Sequence, residues 1–112
     1  MFGFQRLDVY QCAVEFVAIA ARLQQGLPPG NAAMSDQLRR AALSVPLNIA
    51  EGSGRPRKDS FRFYGISRGS ALECAAILDV LEVLELRGQE ELEPGRSTLE
   101  RIVSMLTKMI RH

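Results

Sequence analysis

Apolar residues recur at three- and four-residue steps along most of this chain, which is the spacing that places side chains on one face of an α-helix. The first such segment begins near Asp8, a candidate cap, and ends near Gln25. It carries two apolar stripes: Tyr10, Ala13, Val14, Val17, Ala20 and Ala21 form one, and Val9, Phe16 and Leu23 form the other. Two stripes are typical of a wide core face, or of a helix that also contacts a neighbouring subunit.

The second periodic segment is predicted to begin around Ala33 to Ser35, with Ser35 as its cap. Its apolar face comprises Leu38, Ala42, Val45 and Ile49. Pro46 lies within this pattern and has no N–H to bond the carbonyl of Ala42. The sequence therefore predicts a second helix kinked near Pro46, in which Ser44 or a neighbouring helix satisfies the freed carbonyl.

Segments rich in glycine and proline separate the helices. Gly26–Asn31 divides the first from the second, and Gly52–Pro56 divides the second from a third helix predicted from Lys58 to Leu86. The acidic residues 88–95 are predicted to form a loop or a short turn, before a fourth helix that begins near Ser97. The apolar face of that helix comprises Leu99, Ile102, Val103, Leu106, Met109 and Ile110. The pattern predicts an all-α fold, a single up-down four-helix bundle with one domain over residues 1–112.

Small residues cluster in the first half of the third helix, where Gly65 and Gly69 lie four positions apart. A glycine in a helix interior costs about 1 kcal/mol relative to alanine. We interpret the pair as a tight crossing at which the backbone of another helix comes close.

Charge is distributed unevenly, although the formal net charge is only +1. Residues 39–68 contain seven basic and two acidic side chains, a net charge of +5. Residues 73–100 contain eight acidic and two basic side chains, a net charge of −6. This asymmetry favours head-to-tail self-association, or one face that binds an anionic partner.

Side chains suited to catalysis or metal binding are scarce. His112 is the only histidine, and Cys12 and Cys74 are the only cysteines. This supply disfavours a di-metal bundle site, a Cys/His zinc site and a nucleophile activated by an imidazole. We predict no enzymatic activity, no metal and no cofactor, and two buried thiols. We also predict a cytoplasmic protein without a membrane-spanning segment.

Five blocks of sequence carry a family signature: Gln37–Ala42, Ser44–Pro46 and Asn48–Gly52 at the centre, supported by Leu7–Gln11 and Gly69–Glu73. In these blocks the chain resembles the small bacterial four-helix bundle proteins named after the intervening sequences of 23S rRNA genes. The motif positions are Ser44, Pro46, Asn48, Glu51, Gly52, Gly69, Ser70 and Glu73. The resemblance implies a closed bundle that assembles as a ring-shaped homopentamer. A related branch, the accessory variability determinants of diversity-generating retroelements, contacts nucleic acid and a reverse transcriptase, whereas most members have no known biochemical role.

Several motif positions are polar, and Ser44, Asn48 and Glu51 fall near the seam of the predicted second helix. For these residues we favour a structural polar network around Pro46 over a ligand site. Arg39 and Arg40 are candidate phosphate contacts, or else partners of Glu51 or Glu73 inside the bundle or between subunits. We favour pairing for at least one arginine, because adjacent helix positions point about 100° apart.

The best nucleic-acid candidates are Arg55, Arg57, Lys58 and Arg62, which are clustered at a turn and a helix start. A solvated basic corner is the commoner explanation of such a cluster. Phe61, Phe63 and Tyr64 lie beside it and could stack on bases, although we favour a core or interface role for them.

The leading functional hypothesis is a non-catalytic, homo-oligomeric helical scaffold. One alternative is an accessory protein that binds RNA or DNA through the basic region from Arg39 to Arg68. Another is an adaptor for a protein partner.

Overall fold

The computed structural model describes residues 1–111, and those residues contain four α-helices and no strand. A short 3₁₀ turn, Gly3–Arg6, precedes them. The helices are α1 (Asp8–Gln24), α2 (Ala32–Ser53), α3 (Arg57–Val83) and α4 (Gln89–Arg111). The predicted all-α fold is confirmed.

Each helix packs against two others, in the order α1–α2, α2–α3, α3–α4 and α4–α1. Within the described residues no Cα atom of α1 lies within 8 Å of one in α3, and none of α2 lies within 8 Å of one in α4, so the helices occupy the four corners of a bundle. The bundle measures 44 × 24 × 21 Å, so it has two distinct ends and four long sides. The predicted up-down topology is compatible with this arrangement.

The core is continuous along the bundle and draws on all four helices. Its largest fully buried side chains include Phe16, Leu38, Ile49, Leu78, Ile102 and Leu106. Of the two stripes on α1, the stripe of Val9, Phe16 and Leu23 lies in this core. The other stripe is only partly covered, since Val14 is 46% exposed.

The fourth helix begins eight residues before the predicted start, and the expected loop at 88–95 is wrong. Glu91 caps this helix, because its carboxylate accepts a hydrogen bond of 2.9 Å from the N–H of Gly88. Pro94 lies in the second turn, where the helix loses one backbone hydrogen bond but continues. Full burial of Leu92 against the core favours the helical conformation.

The close crossing of α2 and α3 lies at Gly52, not at Gly65 and Gly69 as predicted. A Cβ atom added at either of those two glycines would meet nothing within 4 Å. At Gly52 it would lie 2.8 Å from Cε1 of Tyr64. The small residues of α3 that face inward are Ser67 and Ala71, which are fully buried.

Helix α2 continues through Pro46, and the bend predicted there stays a prediction. Two side chains donate hydrogen bonds close to the proline, although not to the carbonyl of Ala42 as predicted. The amide of Asn48 donates to the carbonyl of Ser44 at 2.8 Å, and the hydroxyl of Ser67 donates to the carbonyl of Val45 at 2.8 Å.

Two predicted helix ends were also wrong. Ser35 lies in the first turn of α2 rather than at its cap, because the helix begins at Ala32. Helix α3 ends at Val83 rather than Leu86. The chain leaves the helical conformation there, and Glu85 has a positive φ of 58°.

We expect Gly52→Ala to lower the free energy of unfolding by about 1–3 kcal/mol, because the new methyl group would overlap the Tyr64 ring. The matched substitution Gly65→Ala should raise it by about 0.5–1 kcal/mol, since that site is open and alanine favours the helix. Urea unfolding measures both. Equal effects of the two substitutions would contradict the assignment of the crossing to Gly52.

Candidate functional site

The turn between α2 and α3 is fixed by backbone and hydroxyl hydrogen bonds. The N–H of Arg55 donates to the carbonyl of Gly52 at 3.1 Å, which closes the end of α2. The buried hydroxyl of Ser60, in the first turn of α3, bonds the carbonyls of Gly52 at 2.5 Å and Arg55 at 3.1 Å. This one hydroxyl therefore ties the start of α3 to the end of α2. We call residues 54–63 the α2–α3 corner.

Three arginines of the corner lie over phenylalanine rings. The guanidinium carbons of Arg55 and Arg62 are 5.1 and 5.2 Å from the centroid of Phe63. The guanidinium carbon of Arg57 is 5.4 Å from the centroid of Phe61. Both rings are half-buried, and the guanidinium groups lie over them in cation–π contact.

Most of the corner's positive charge has no acidic partner among residues 1–111. Arg55 pairs with Glu51 at 3.2 Å. No described carboxylate lies within 4 Å of the charged nitrogens of Arg57, Lys58 or Arg62. The corner thus presents three cationic groups that are free to contact an anion.

Arg39 and Arg40 do not belong to this corner. They precede Arg55 on α2 by about four helical turns, or roughly 22 Å. Both pair with Asp36, at 2.9 and 3.1 Å, so the predicted pairing with Glu51 or Glu73 inside the bundle is wrong, and pairing between subunits stays a prediction. Asp36 is preferred because it lies three and four residues earlier on the same helix. The hydrogen bond from Arg39, and then the charge of Arg40, lower the pKa of Asp36.

The polar motif residues join α2 to α3. The amide of Asn48 donates to the hydroxyl of Ser44 at 2.9 Å, and the hydroxyl of Ser70 donates to the same oxygen at 2.8 Å. Two turns earlier on α2 and one turn later on α3, the amide of Gln37 donates to the carboxylate of Glu73. Every buried side-chain nitrogen and oxygen in the described part of the chain has a partner. Ser44, Asn48 and Ser70 therefore form a structural network without an unsatisfied group aimed at a ligand. Glu51, which was predicted to belong to this network, is exposed and pairs with Arg55 instead.

Two further arginines, Arg96 and Arg87, hold helices together, although the sequence pattern does not indicate this role. Arg96 on α4 pairs with Asp79 at 3.0 Å and Glu82 at 2.6 Å on α3, and these bonds, chiefly that to Glu82, raise its pKa. Arg87 donates to the carbonyls of Leu23 at 3.1 Å and Leu86 at 2.7 Å. It thereby connects the α3–α4 turn to the end of α1. Both arginines lie in an otherwise acidic segment, and no local spacing marks them.

Apolar grooves lie on two opposite sides of the bundle. The α3/α4 groove has a volume of about 420 Å³ and is lined by Leu72, Ala75, Asp79, Arg96, Leu99, Glu100, Val103 and Ser104. The α1/α2 groove has a volume of about 230 Å³ and is lined by Val17, Ala20, Ala21, Gln24, Arg39, Ala42 and Leu43. Leu72 is 46% exposed and Leu43 is 39% exposed.

Both cysteines are free and buried, as the sequence predicts. Burial, with a smaller contribution from Glu73, raises the pKa of the Cys74 thiol to about 12, so this thiol stays protonated at neutral pH. Burial also raises the pKa of Tyr64. Within residues 1–111 no three His, Cys, Asp or Glu side chains lie together as a metal site would require. His112 lies outside the described residues.

None of the described helices is long and apolar enough to cross a membrane.

Comparisons with known proteins find similarity over most of the chain. The family model described as "23S rRNA-intervening sequence protein" matches residues 5–108. A crystal structure from Bacteroides thetaiotaomicron, described as a protein with unknown function from the S23 ribosomal protein family, is 24% identical. It superposes with a TM-score of 0.85, over 93% of this chain and 99% of that one. At this identity the likeness supports the fold alone. Among curated proteins none matches.

We expect Ser44→Ala and Ser70→Ala each to lower the free energy of unfolding by about 0.5–1.5 kcal/mol, because each removes one partner of the hydroxyl–hydroxyl bond. The double variant should lose less free energy of unfolding than the sum of the losses in the two single variants, because the hydrogen bond between the hydroxyls can be lost only once. Denaturant unfolding of the four proteins in this cycle measures the coupling. Additive losses would show that the two hydroxyls do not act together.

Proposed function

The chain belongs to the 23S rRNA-intervening sequence protein family, and on that premise we propose that it is a non-catalytic helical scaffold that assembles head to tail with copies of itself. The observation that carries the proposal is the pair of apolar grooves on opposite sides of the bundle. Half-exposed leucines in both grooves would leave water on assembly, which is the main driving force for association.

The shapes and charges of the grooves favour contact between unlike faces. A symmetric dimer requires the same patch on both copies, whereas contact between unlike patches produces a ring or a filament. The two grooves differ nearly twofold in volume. Asp79, Glu100 and Arg96 give the α3/α4 groove a net charge of −1, and Arg39 gives the α1/α2 groove a charge of +1. We therefore propose that the α1/α2 groove of one copy packs against the α3/α4 groove of the next.

The number of copies that we propose is five, which is the ring that the sequence resemblance implies. A closed ring would bury both grooves of every copy and leave the two ends of each bundle exposed. The basic α2–α3 corner lies at one of those ends.

We expect Leu43→Glu and Leu72→Glu each to convert the oligomer to monomers, because each places a charge in one groove. An equimolar mixture of the two variants should contain dimers, since each variant retains the groove that the other lacks. Light scattering coupled to size-exclusion chromatography measures the mass. Ile66→Glu is the matched control and should keep the wild-type mass. Ile66 is 42% exposed and lies one turn before Ser70, on the side of α3 that faces α2.

Other masses would reject the proposal in identifiable ways. A dimer formed by either variant alone would indicate contact between like faces. A wild-type chain that is already monomeric would reject self-assembly and would favour the hypothesis of an adaptor whose grooves receive a different protein.

Nucleic-acid binding at the α2–α3 corner is a second candidate function. The observation that favours it is the absence of described carboxylate partners for Arg57, Lys58 and Arg62. Guanidinium and ammonium groups that are not neutralised within the protein attract phosphates and release counterions on binding.

We expect labelled RNA and single-stranded DNA to bind the wild-type protein with an affinity that falls steeply with salt concentration. Arg57→Gln combined with Arg62→Gln should weaken binding and reduce the slope of log K against log salt by about two, one unit for each lost contact. Fluorescence anisotropy at several salt concentrations measures both quantities.

The charge-matched control is Arg22→Gln combined with Arg40→Gln; Arg22 lies at the opposite end of the bundle, and Arg40 lies about two turns into α2, also away from the corner. This control should change neither the affinity nor the slope. Equal losses in the two double variants would indicate that net charge, rather than the corner, governs binding.

A further inference from the structure

The phenylalanine rings of the α2–α3 corner are occupied by arginines. Two guanidinium groups lie over Phe63, at 5.1 and 5.2 Å from its centroid, and one lies over Phe61 at 5.4 Å. Both rings are half-buried, so only part of each is accessible from solvent. A nucleobase that stacked on Phe63 would have to displace a guanidinium group, and the ring would lose a cation–π contact. The corner is therefore poorly arranged for reading bases by stacking.

The same arrangement suits phosphate groups. A guanidinium group that lies on a ring keeps its N–H groups at its edge, where they can donate in pairs to two oxygens of one phosphate. The ring also limits the rotation of the arginine side chain, so less conformational entropy is lost when a phosphate binds. Arg55 and Arg62 share the Phe63 ring, so their guanidinium carbons lie within about 10 Å of each other, close enough for both to contact one stretch of a phosphate chain. Of the two, Arg62 has no described carboxylate partner, whereas Arg55 is paired with Glu51.

The neighbouring residues add positive potential without adding any feature that recognises a base. Arg57 and Lys58 form the first turn of α3, where the helix dipole also favours an anion. The single acidic residue of that turn is Asp59, which forms no ion pair with a described residue. Tyr64, the third aromatic residue of this region, is only 9% exposed and packs against Gly52, so it lacks the open ring face that base stacking requires.

We propose that the α2–α3 corner binds the sugar–phosphate backbone of nucleic acids, with Phe61 and Phe63 acting as positioning residues that hold the arginines rather than as platforms for bases. This inference rests on the second candidate function and specifies which part of a nucleic acid is recognised. It predicts binding without sequence preference.

The first test compares two labelled single strands of equal length, one of deoxyadenosine and one that carries the same phosphates without bases. The corner should bind both strands within about twofold. Stacking would favour the base-bearing strand by about fivefold or more for each stacked base. A preference of that size would overturn the inference while leaving nucleic-acid binding intact. If neither strand binds at low salt, the second candidate function itself fails.

The second test is Phe63→Leu, which retains an apolar side chain and every charge. We expect it to weaken the binding of both strands several-fold and equally, because the arginines lose the aromatic ring that holds them in position. The slope of log K against log salt should not change, because the arginines keep their charge. Arg62→Lys should act in the same direction, since lysine keeps the charge but lacks the planar fork. Phe4→Leu is the matched control, because Phe4 is half-buried and its ring contacts Phe2 and Tyr10 rather than an arginine. A loss confined to the base-bearing strand in Phe63→Leu would overturn the inference, and circular dichroism verifies that each variant is folded.

Discussion

The close packing of α2 on α3 is the constraint on which the other features of this protein depend. The helices approach each other at Gly52, where the Tyr64 ring leaves no room for a side chain. The hydroxyls of Ser60 and Ser67 reach from α3 to the carbonyls of Gly52 and Val45 on α2. Because these two carbonyls lie about two turns apart on α2, the hydrogen bonds fix both the axial register and the rotation of α3 relative to α2. A change in register would leave buried hydroxyls without partners.

This constraint explains why the motif residues are structural. The hydrogen bonds from Ser70 and Asn48 meet at the hydroxyl of Ser44, two residues before Pro46, where α2 lacks one backbone bond. Among the polar groups of the motif, Ser44, Ser70 and Glu73 are thus used between two helices of the same chain, and Asn48 bonds within α2. The two lateral grooves and the ends of the bundle are among the surfaces that remain available for partners.

Periodicity predicted the fold and most of the elements, because burial of one face determines where a helix can form. It failed where a local feature overrides the general tendency of a residue type. Pro94 and Gly95 suggested a loop, but the Glu91 cap and the burial of Leu92 make that segment the first part of α4. The four-residue spacing of Gly65 and Gly69 places them on one face of α3 and suggested a helix crossing there. Spacing does not show whether another helix packs against that face, and in the structure nothing lies within 4 Å of a Cβ atom built at either glycine.

The candidate site was predictable in composition but not in geometry. The basic cluster is evident in the sequence, whereas the stacking of Arg55 and Arg62 on one ring depends on how the turn folds back onto α3. The pairing of Arg39 and Arg40 was assigned to distant carboxylates although Asp36 lies within one helical turn. The grooves were not foreseen because each requires knowing which helices are neighbours.

The two proposals reinforce each other through the placement of charge. The basic corner lies at the start of α3, and the acidic segment 73–100 surrounds the α3–α4 turn at the other end of a bundle 44 Å long. Copies that associate through their lateral grooves, around an axis along the bundle, would all place their basic corners on one rim of the ring and their acidic ends on the other.

A chain with a net charge of only +1 would then present several corners to a single phosphate chain. Binding at one corner raises the effective concentration of the next, so weak contacts with phosphates would combine into firm attachment. Near-neutral net charge is therefore no argument against nucleic-acid binding by an assembly of this shape.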